Sequence, residues 1–191
     1  LTGHKDAANK LTLFGKIAHH SNGQDGNFYT DDGKVNLQSG NFATNYLELG
    51  FLQSSYSQNL KAFKFIKSSV EIHPKSWMLE ELHGQYSGLR WHNTFLAYKL
   101  PMKSNLIKSS EQKANFSVKA ETTLMLDNIN NWDTFNSKRI NASLIVYYHP
   151  KFLEDIGFFV QFYQGMDYYN IYFQHQISSI RFGIMTETLR F

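Results

Sequence analysis

The sequence predicts an all-β fold: a transmembrane antiparallel β-barrel, eight strands visible, in a single domain over residues 1–191. Three observations carry this reading. Apolar and polar residues alternate in eight separate stretches, the period-2 pattern of strands with one apolar face. Aromatic residues make up 16% of the chain, yet mean hydropathy is only −0.41. A barrel wall needs both properties, because one face of each strand meets lipid and the other a polar lumen. The three prolines, Pro74, Pro101 and Pro150, all fall where an alternating stretch ends. A residue without an N–H is tolerated there and not within a ladder.

The strands follow in order. About 10–20, Leu11, Leu13, Ile17 and His19 share one face, opposite Thr12, Phe14, Lys16, Ala18 and His20. About 42–56, Ala43, Asn45, Leu47, Leu49 and Phe51 oppose Thr44, Tyr46, Glu48 and Gly50. The third stretch, about 60–73, sets Phe63 and Phe65 against Ala62, Ile66 and Val70, apolar on both sides, which leaves room for a bulge. About 84–100, Leu89, Trp91, Phe95 and Ala97 oppose Arg90, His92, Thr94 and Tyr98. The last four, about 112–126, 137–149, 155–169 and 174–191, alternate more cleanly. Phe116, Val118, Leu144, Phe158, Val160, Phe162, Ile180 and Phe182 lie on their apolar faces. Tyr56, Trp77, Trp132, Tyr147, Tyr148, Tyr168, Tyr169 and Tyr172 gather near strand ends, as interfacial girdles would.

Other classes are excluded by composition. No apolar run approaches the ~18 residues of a transmembrane helix. With 19 basic and 16 acidic residues and no basic run interleaved with aromatics, no nucleic-acid partner is expected. Cysteine is absent, so disulfides, thiol catalysis and zinc-thiolate sites are excluded. Leu1 lacks a secretion segment, so the start is read as processed or truncated. The final residues, Arg181 to Phe191, alternate and end in Phe, and resemble the assembly signal of bacterial outer-membrane proteins. The last strand then runs towards the periplasm. The stretches 22–41, 74–83, 127–136 and 170–173 become extracellular loops, and 57–59, 101–111 and 150–154 periplasmic turns.

One cluster points to chemistry. The first strand ends His19-His20-Ser21-Asn22-Gly23. His19 and Ser21 are two apart and share the face assigned to lipid. Asn45 lies on the same face of the next strand and can sit beside His19 if the two strands form a hairpin. Polar side chains on a lipid-facing wall are costly, and so point to function. Ser21 is a nucleophile that needs a base, His19 can take its proton, and Asn45 can hold the imidazole tautomer. A neutral Asn suits a site beside lipid, where an unpaired carboxylate is expensive to desolvate. Backbone N–H groups of Ser21 and Gly23 are the candidate oxyanion donors.

The His19-x-Ser21-Asn22-Gly23 segment, followed by Asn45 early in the next strand, resembles outer-membrane phospholipase A. Gln161 to Gly165, Asp167 to Phe173 and Arg181-Phe-Gly-Ile look like that family's last two strands in looser form. The resemblance implies a twelve-stranded barrel, calcium-dependent hydrolysis of phospholipid acyl esters by a phospholipase A1/A2-type enzyme, and activation by homodimerisation in the bacterial outer membrane. The eight visible strands would then be the C-terminal part of that barrel, or an eight-stranded barrel in its own right. The loop between Ser21 and Asn45 is longer than the family's. Asp25 and Ser39 are the candidate calcium ligands, since hard oxygen donors suit that ion.

Two other functions stay open. A lipid A deacylase is also an eight-stranded barrel with an H-x-S-N segment, but uses a Glu as third member. The nearest, Glu48, is turned inward by alternation. A non-catalytic structural or partner barrel in an outer-membrane assembly would keep the same residues without turnover. The inward Lys16, Glu48, Arg90, Lys119, Glu121, Arg139 and Arg181 are expected to form an ion-pair plug rather than an ion path. His20 is assigned to the lumen, and His92 and His149 to structural roles.

Overall fold

The computed structural model describes residues 7–57, 62–101, 114–133, 136–150, 153, 156–167 and 170–186. Leu1, Tyr168, Tyr169, Phe191 and most of the expected periplasmic turns lie outside the described residues. The strands are β1 (Ala7–Ser21), β2 (Ala43–Ser57), β3 (Ala62–Ile72), β4 (Leu89–Pro101), β5 (Ala114–Met125), β6 (Ile140–Pro150), β7 (Ile156–Met166) and β8 (Gln176–Thr186). They form one eight-stranded sheet in sequence order, each strand antiparallel to the next. Among the described residues no ladder joins β1 to β8. No described helix is long and apolar enough to cross a membrane.

Two expectations about local geometry are corrected. β3 pairs with β2 from Leu47↔Ile72 to Ser57↔Ala62, and with β4, without a register shift, so it carries no bulge. Ile66 and Val70 take the outer face, and Phe63 and Phe65 the inner one, opposite Tyr98 and Leu96. The irregularity lies instead in β4, where the register shifts between Ala97 and Leu100. Lys99 has φ +55° there, and its backbone N–H donates to Ser117 Oγ at 2.9 Å. A side-chain acceptor replaces the lost ladder partner, which keeps the bulge satisfied. β4 also begins at Leu89 and not near 84, because Gly84 (φ +74°) and the residues after it form a turn.

The apolar face of the sheet is the exposed one. Leu49, Phe51, Val70, Trp91, Phe95, Leu144, Phe158, Val160 and Phe162 stand outward along successive strands. Exposure is greatest on the two outer strands, reaching 78% at Leu13 and 84% at Phe182, which have a neighbour on one side only. The opposite face is polar and buried. Glu48 meets Lys16 at 2.7 Å, Lys67 at 2.8 Å and Ser69 Oγ at 2.7 Å. Glu71 meets His73 at 2.8 Å, His92 at 3.4 Å and Arg90 at 3.7 Å, and His73 Nδ1 also bonds Thr44 Oγ1 at 2.9 Å. Lys119 pairs with Glu121 at 2.8 Å.

Five of the residues expected to form ion pairs therefore do so, around three carboxylates, Glu48, Glu71 and Glu121, of which Glu71 is not among those expected. Arg139 departs from this pattern. Its guanidinium donates to the Asp127 backbone carbonyl and ties down a loop. Replacing Glu71 by Ala leaves Arg90 and two histidines facing a low-dielectric interior without their acceptor. Glu71→Ala should destabilise the fold by about 3–5 kcal/mol, read as a lower melting temperature in detergent.

The hydrophobic core sits in the loops, at the end of the sheet where β1 finishes. Phe28 and Phe42 from the β1–β2 loop, Leu82 and Tyr86 from the β3–β4 loop, and Ile171 and Phe173 from the β7–β8 loop pack together. Phe173 lies 6.0 Å from Phe42 and 5.5 Å from Tyr86, ring to ring. The first and last hairpin loops therefore meet, and the sheet between them is curled. Burial pushes the Tyr86 phenol pKa up. Met125, Ile129 and Met166 form a smaller cluster covered by Trp132. Trp132 and Tyr172 thus belong to loop packing rather than to a girdle, and Tyr147 stands on the inner face, whereas Tyr56, Trp77 and Tyr148 are exposed.

Candidate functional site

The hairpin of β1 and β2 brings the predicted residues to one place. Its register sets His19 directly opposite Asn45, and Ser21 opposite Ala43. The His19 Nδ1 to Asn45 Oδ1 distance is 2.8 Å, and both side chains are exposed on the apolar face. Ser21 closes β1 two residues on, on that same face. The pairing continues one step past the strand, where the Asn22 N–H donates to the Phe42 carbonyl at 3.1 Å. Hydrogen-bonded and non-hydrogen-bonded pairs alternate along an antiparallel ladder, so His19 and Asn45 form a non-hydrogen-bonded pair. Side chains approach most closely in such pairs, which accounts for the short contact across the strands. The same alternation directs the backbone N–H groups of His19 and Ser21 away from β2.

Two features hold these groups, and the sequence assigned a holding role to neither. Asn22 acts as a clamp. Its Nδ2 donates to the Gly40 carbonyl at 2.7 Å, and its Oδ1 accepts from the N–H of Phe42 at 3.0 Å and of Gln24 at 3.3 Å. It therefore fixes the backbone on both sides of Gly23, whose φ of +68° suits glycine. The second is the β3–β4 loop. It runs beside β2 through a Thr44↔Met78 bridge and a Leu79 N–H to Ala43 carbonyl bond of 3.2 Å. The Asn45 amide nitrogen reaches the Trp77 carbonyl at 3.4 Å, which leaves Oδ1 turned towards His19. The sequence shows Asn22 as a turn former, but the carbonyl it takes is 18 residues away.

The other candidates separate. Glu48 is buried on the opposite face with Lys16, Lys67 and Ser69, away from His19. His20 faces inward, 5.4 Å from the Phe42 ring, and lines a cavity of about 320 Å³ with Arg90, Asn141, Gln161 and Tyr163. His92 bonds Thr123 at 2.9 Å and His149 bonds Ser117 at 3.0 Å, as structural residues do.

Asp25 and Ser39 are brought near each other, because the Gly26 N–H donates to the Ser39 carbonyl at 3.0 Å. That carbonyl is thereby engaged, and Ser39 Oγ accepts from Asn36 at 3.0 Å. Calcium takes 6–8 oxygen ligands. Asp25 and Ser39 supply only part of such a set, and among the described residues no group of three or more His, Asp or Glu is placed to hold a metal. No family model, curated protein or solved structure matches this chain.

Proposed function

We propose that the sheet closes as a β-barrel, or as the larger part of one, in the bacterial outer membrane. There it hydrolyses acyl esters of phospholipids with Ser21 as nucleophile, His19 as base and Asn45 as the residue that positions His19. The observation that carries this is the 2.8 Å contact between His19 and Asn45 on an exposed apolar wall. A polar pair on a lipid-facing surface is costly, which supports a role for this one at that surface. The outward Leu, Ile and Phe side chains and the buried polar face support a membrane wall. The aromatic loop core over one end argues against an open pore.

The chemistry follows from the amide. Asn45 Oδ1 can only accept, so facing Nδ1 it selects the tautomer protonated there. The lone pair at Nε2 is then the base. The Ser21 hydroxyl proton passes to Nε2 as Oγ bonds to the ester carbonyl carbon. The tetrahedral intermediate collapses, the ester C–O bond breaks, and the leaving alkoxide takes the proton from His19. Water repeats the sequence, releasing the fatty acid and restoring Ser21. N–H groups of Ser21 and Gly23 are the oxyanion donors in this reading. The Asn22 clamp, by fixing both sides of Gly23, sets the position of the second.

The test is fatty-acid release from phospholipid by the full chain in detergent, with and without calcium. Calcium and homodimerisation enter this reading through the family resemblance alone. A chelator arm and a cross-linking arm measure each separately. Asn45→Ala should lower kcat by about 10–100-fold and leave KM nearly unchanged, because it disturbs the base and not the substrate contacts.

A lipid A deacylase would need a Glu beside His19, and Glu48 is held on the other face by three partners. Glu48→Gln should therefore leave phospholipid hydrolysis within about threefold of the parent. A non-catalytic partner barrel would show no labelling of Ser21 by a fluorophosphonate.

A further inference from the structure

We propose that a groove on the loop cap binds a neutral saccharide. The groove has a volume of about 430 Å³ and lies between the β1–β2, β3–β4 and β7–β8 loops, among Tyr29, Lys34, Gln85, Tyr172, Gln174 and His175. That volume lies within the ~300–1,000 Å³ of small-molecule sites. The site is distinct from the His19–Ser21–Asn45 cluster: none of those residues lines it.

Three features define the ligand. The first is ring surface. Tyr29 is exposed, and Tyr172 and His175 lie 5.5 Å apart with their planes inclined at 43°. Such rings give the C–H face of a sugar an apolar platform with polar rims. The second is a fixed chain of neutral hydrogen-bonding groups. Gln85 Nε2 donates to the Tyr29 hydroxyl at 2.5 Å and to the Glu81 carbonyl at 2.9 Å. Gln174 Nε2 donates in turn to Gln85 Oε1. Gln85 thereby spends both its N–H donors. Gln174 keeps its Oε1 and its second N–H, and Tyr29 keeps its hydroxyl proton, all at the groove. An acceptor and two donors held by a preformed chain match adjacent hydroxyl groups, each of which both donates and accepts.

The third feature is charge. Among the described residues Lys34 is the one lysine or arginine lining the groove, and its ammonium meets Asp32 at 2.6 Å. That contact and the Thr30 hydroxyl hold the Asp32 carboxyl below its usual pKa, so the pair stays ionised and self-compensated near neutral pH. The pair is neutral overall, so it offers an anionic ligand no net positive charge. A polyhydroxylated neutral ligand needs none.

The experiment uses the full chain in a detergent without sugar headgroups, such as a zwitterionic amine oxide. Saturation-transfer NMR is recorded against glucose, galactose, mannose and N-acetylglucosamine, with glucose 6-phosphate as the anionic arm. The expected result is transfer to the ring protons of at least one neutral sugar. It should fall at least about fivefold in Gln174→Ala and in Tyr29→Phe, both mild changes at exposed positions. Serine labelling of Ser21 by a fluorophosphonate should be unchanged in both variants, which separates this site from the hydrolytic one. No transfer to any neutral sugar, equal transfer in the variants, or stronger and salt-sensitive binding of the phosphate would each overturn the proposal.

Discussion

Ser21→Ala should lower fatty-acid release from phospholipid by at least about 10³-fold, with the fold intact. The size of the loss follows from the arrangement around His19. An imidazole held in one tautomer by Asn45 at 2.8 Å is a base with a fixed direction, and without an acceptor of acyl groups it has nothing to activate but water. Ser21 ends β1 on the exposed surface, so removing its oxygen opens no cavity in a packed region. The melting temperature should stay within a few degrees of the parent. Residues that act as one unit are non-additive, so Asn45→Ala should cost nothing further once Ser21 is gone. Release by Ser21→Ala at the parental rate would end the hydrolase reading. A double variant much slower than Ser21→Ala alone would show that Asn45 acts through something other than Ser21.

Phe42→Ala should destabilise the fold by about 3–5 kcal/mol, the largest effect expected of a single apolar truncation here. Phe42 is fully buried and touches the rings of His20 at 5.4 Å, Tyr86 at 5.1 Å and Phe173 at 6.0 Å. It joins three loops that share no ladder, so the hole it leaves cannot be filled by sliding a strand. Its backbone is also the far end of the Asn22 clamp. The variant should therefore be cut faster by protease within residues 22–41 as well as melting earlier. Phe182→Ala is the matched control. That ring is 84% exposed, and its loss in detergent should change stability by less than about 1 kcal/mol. Equal melting of the two variants would show that the loop cap is not the core.

The site was legible because it is written in parity. His19 and Ser21 are two residues apart, and Asn45 lies near the start of a strand whose Leu47, Leu49 and Phe51 mark its face. Once a hairpin is assumed, the alternation of side chains fixes which residues share a side. The same rule placed Glu48 inside, away from His19, where the structure has it. Parity could not supply the holding groups. Asn22 reaches the Gly40 carbonyl and Asn45 the Trp77 carbonyl, and both acceptors are backbone atoms whose position no side-chain pattern encodes. The bulge was misplaced for a related reason. Apolar residues on both sides of β3 suggested one, but Phe63 and Phe65 instead belong to the inner face near Tyr98. The real bulge, at Lys99, leaves no mark in the alternation before Ala97.

The sequence by itself determined the eight strands, the faces of all but β3, and the meeting of His19 with Asn45. These depend on the period of two and on pairing between neighbours in the chain, both of which are local. Tertiary structure alone decided where the core lies. Phe28, Phe42, Leu82, Tyr86, Ile171 and Phe173 are scattered through stretches without periodicity, and become a core because the first and last hairpin loops are folded against each other. It also decided how the buried polar face is balanced, by bringing Glu71 to His73, His92 and Arg90. Burial of a charge is set by what surrounds it in space, and that information is not carried by any one strand.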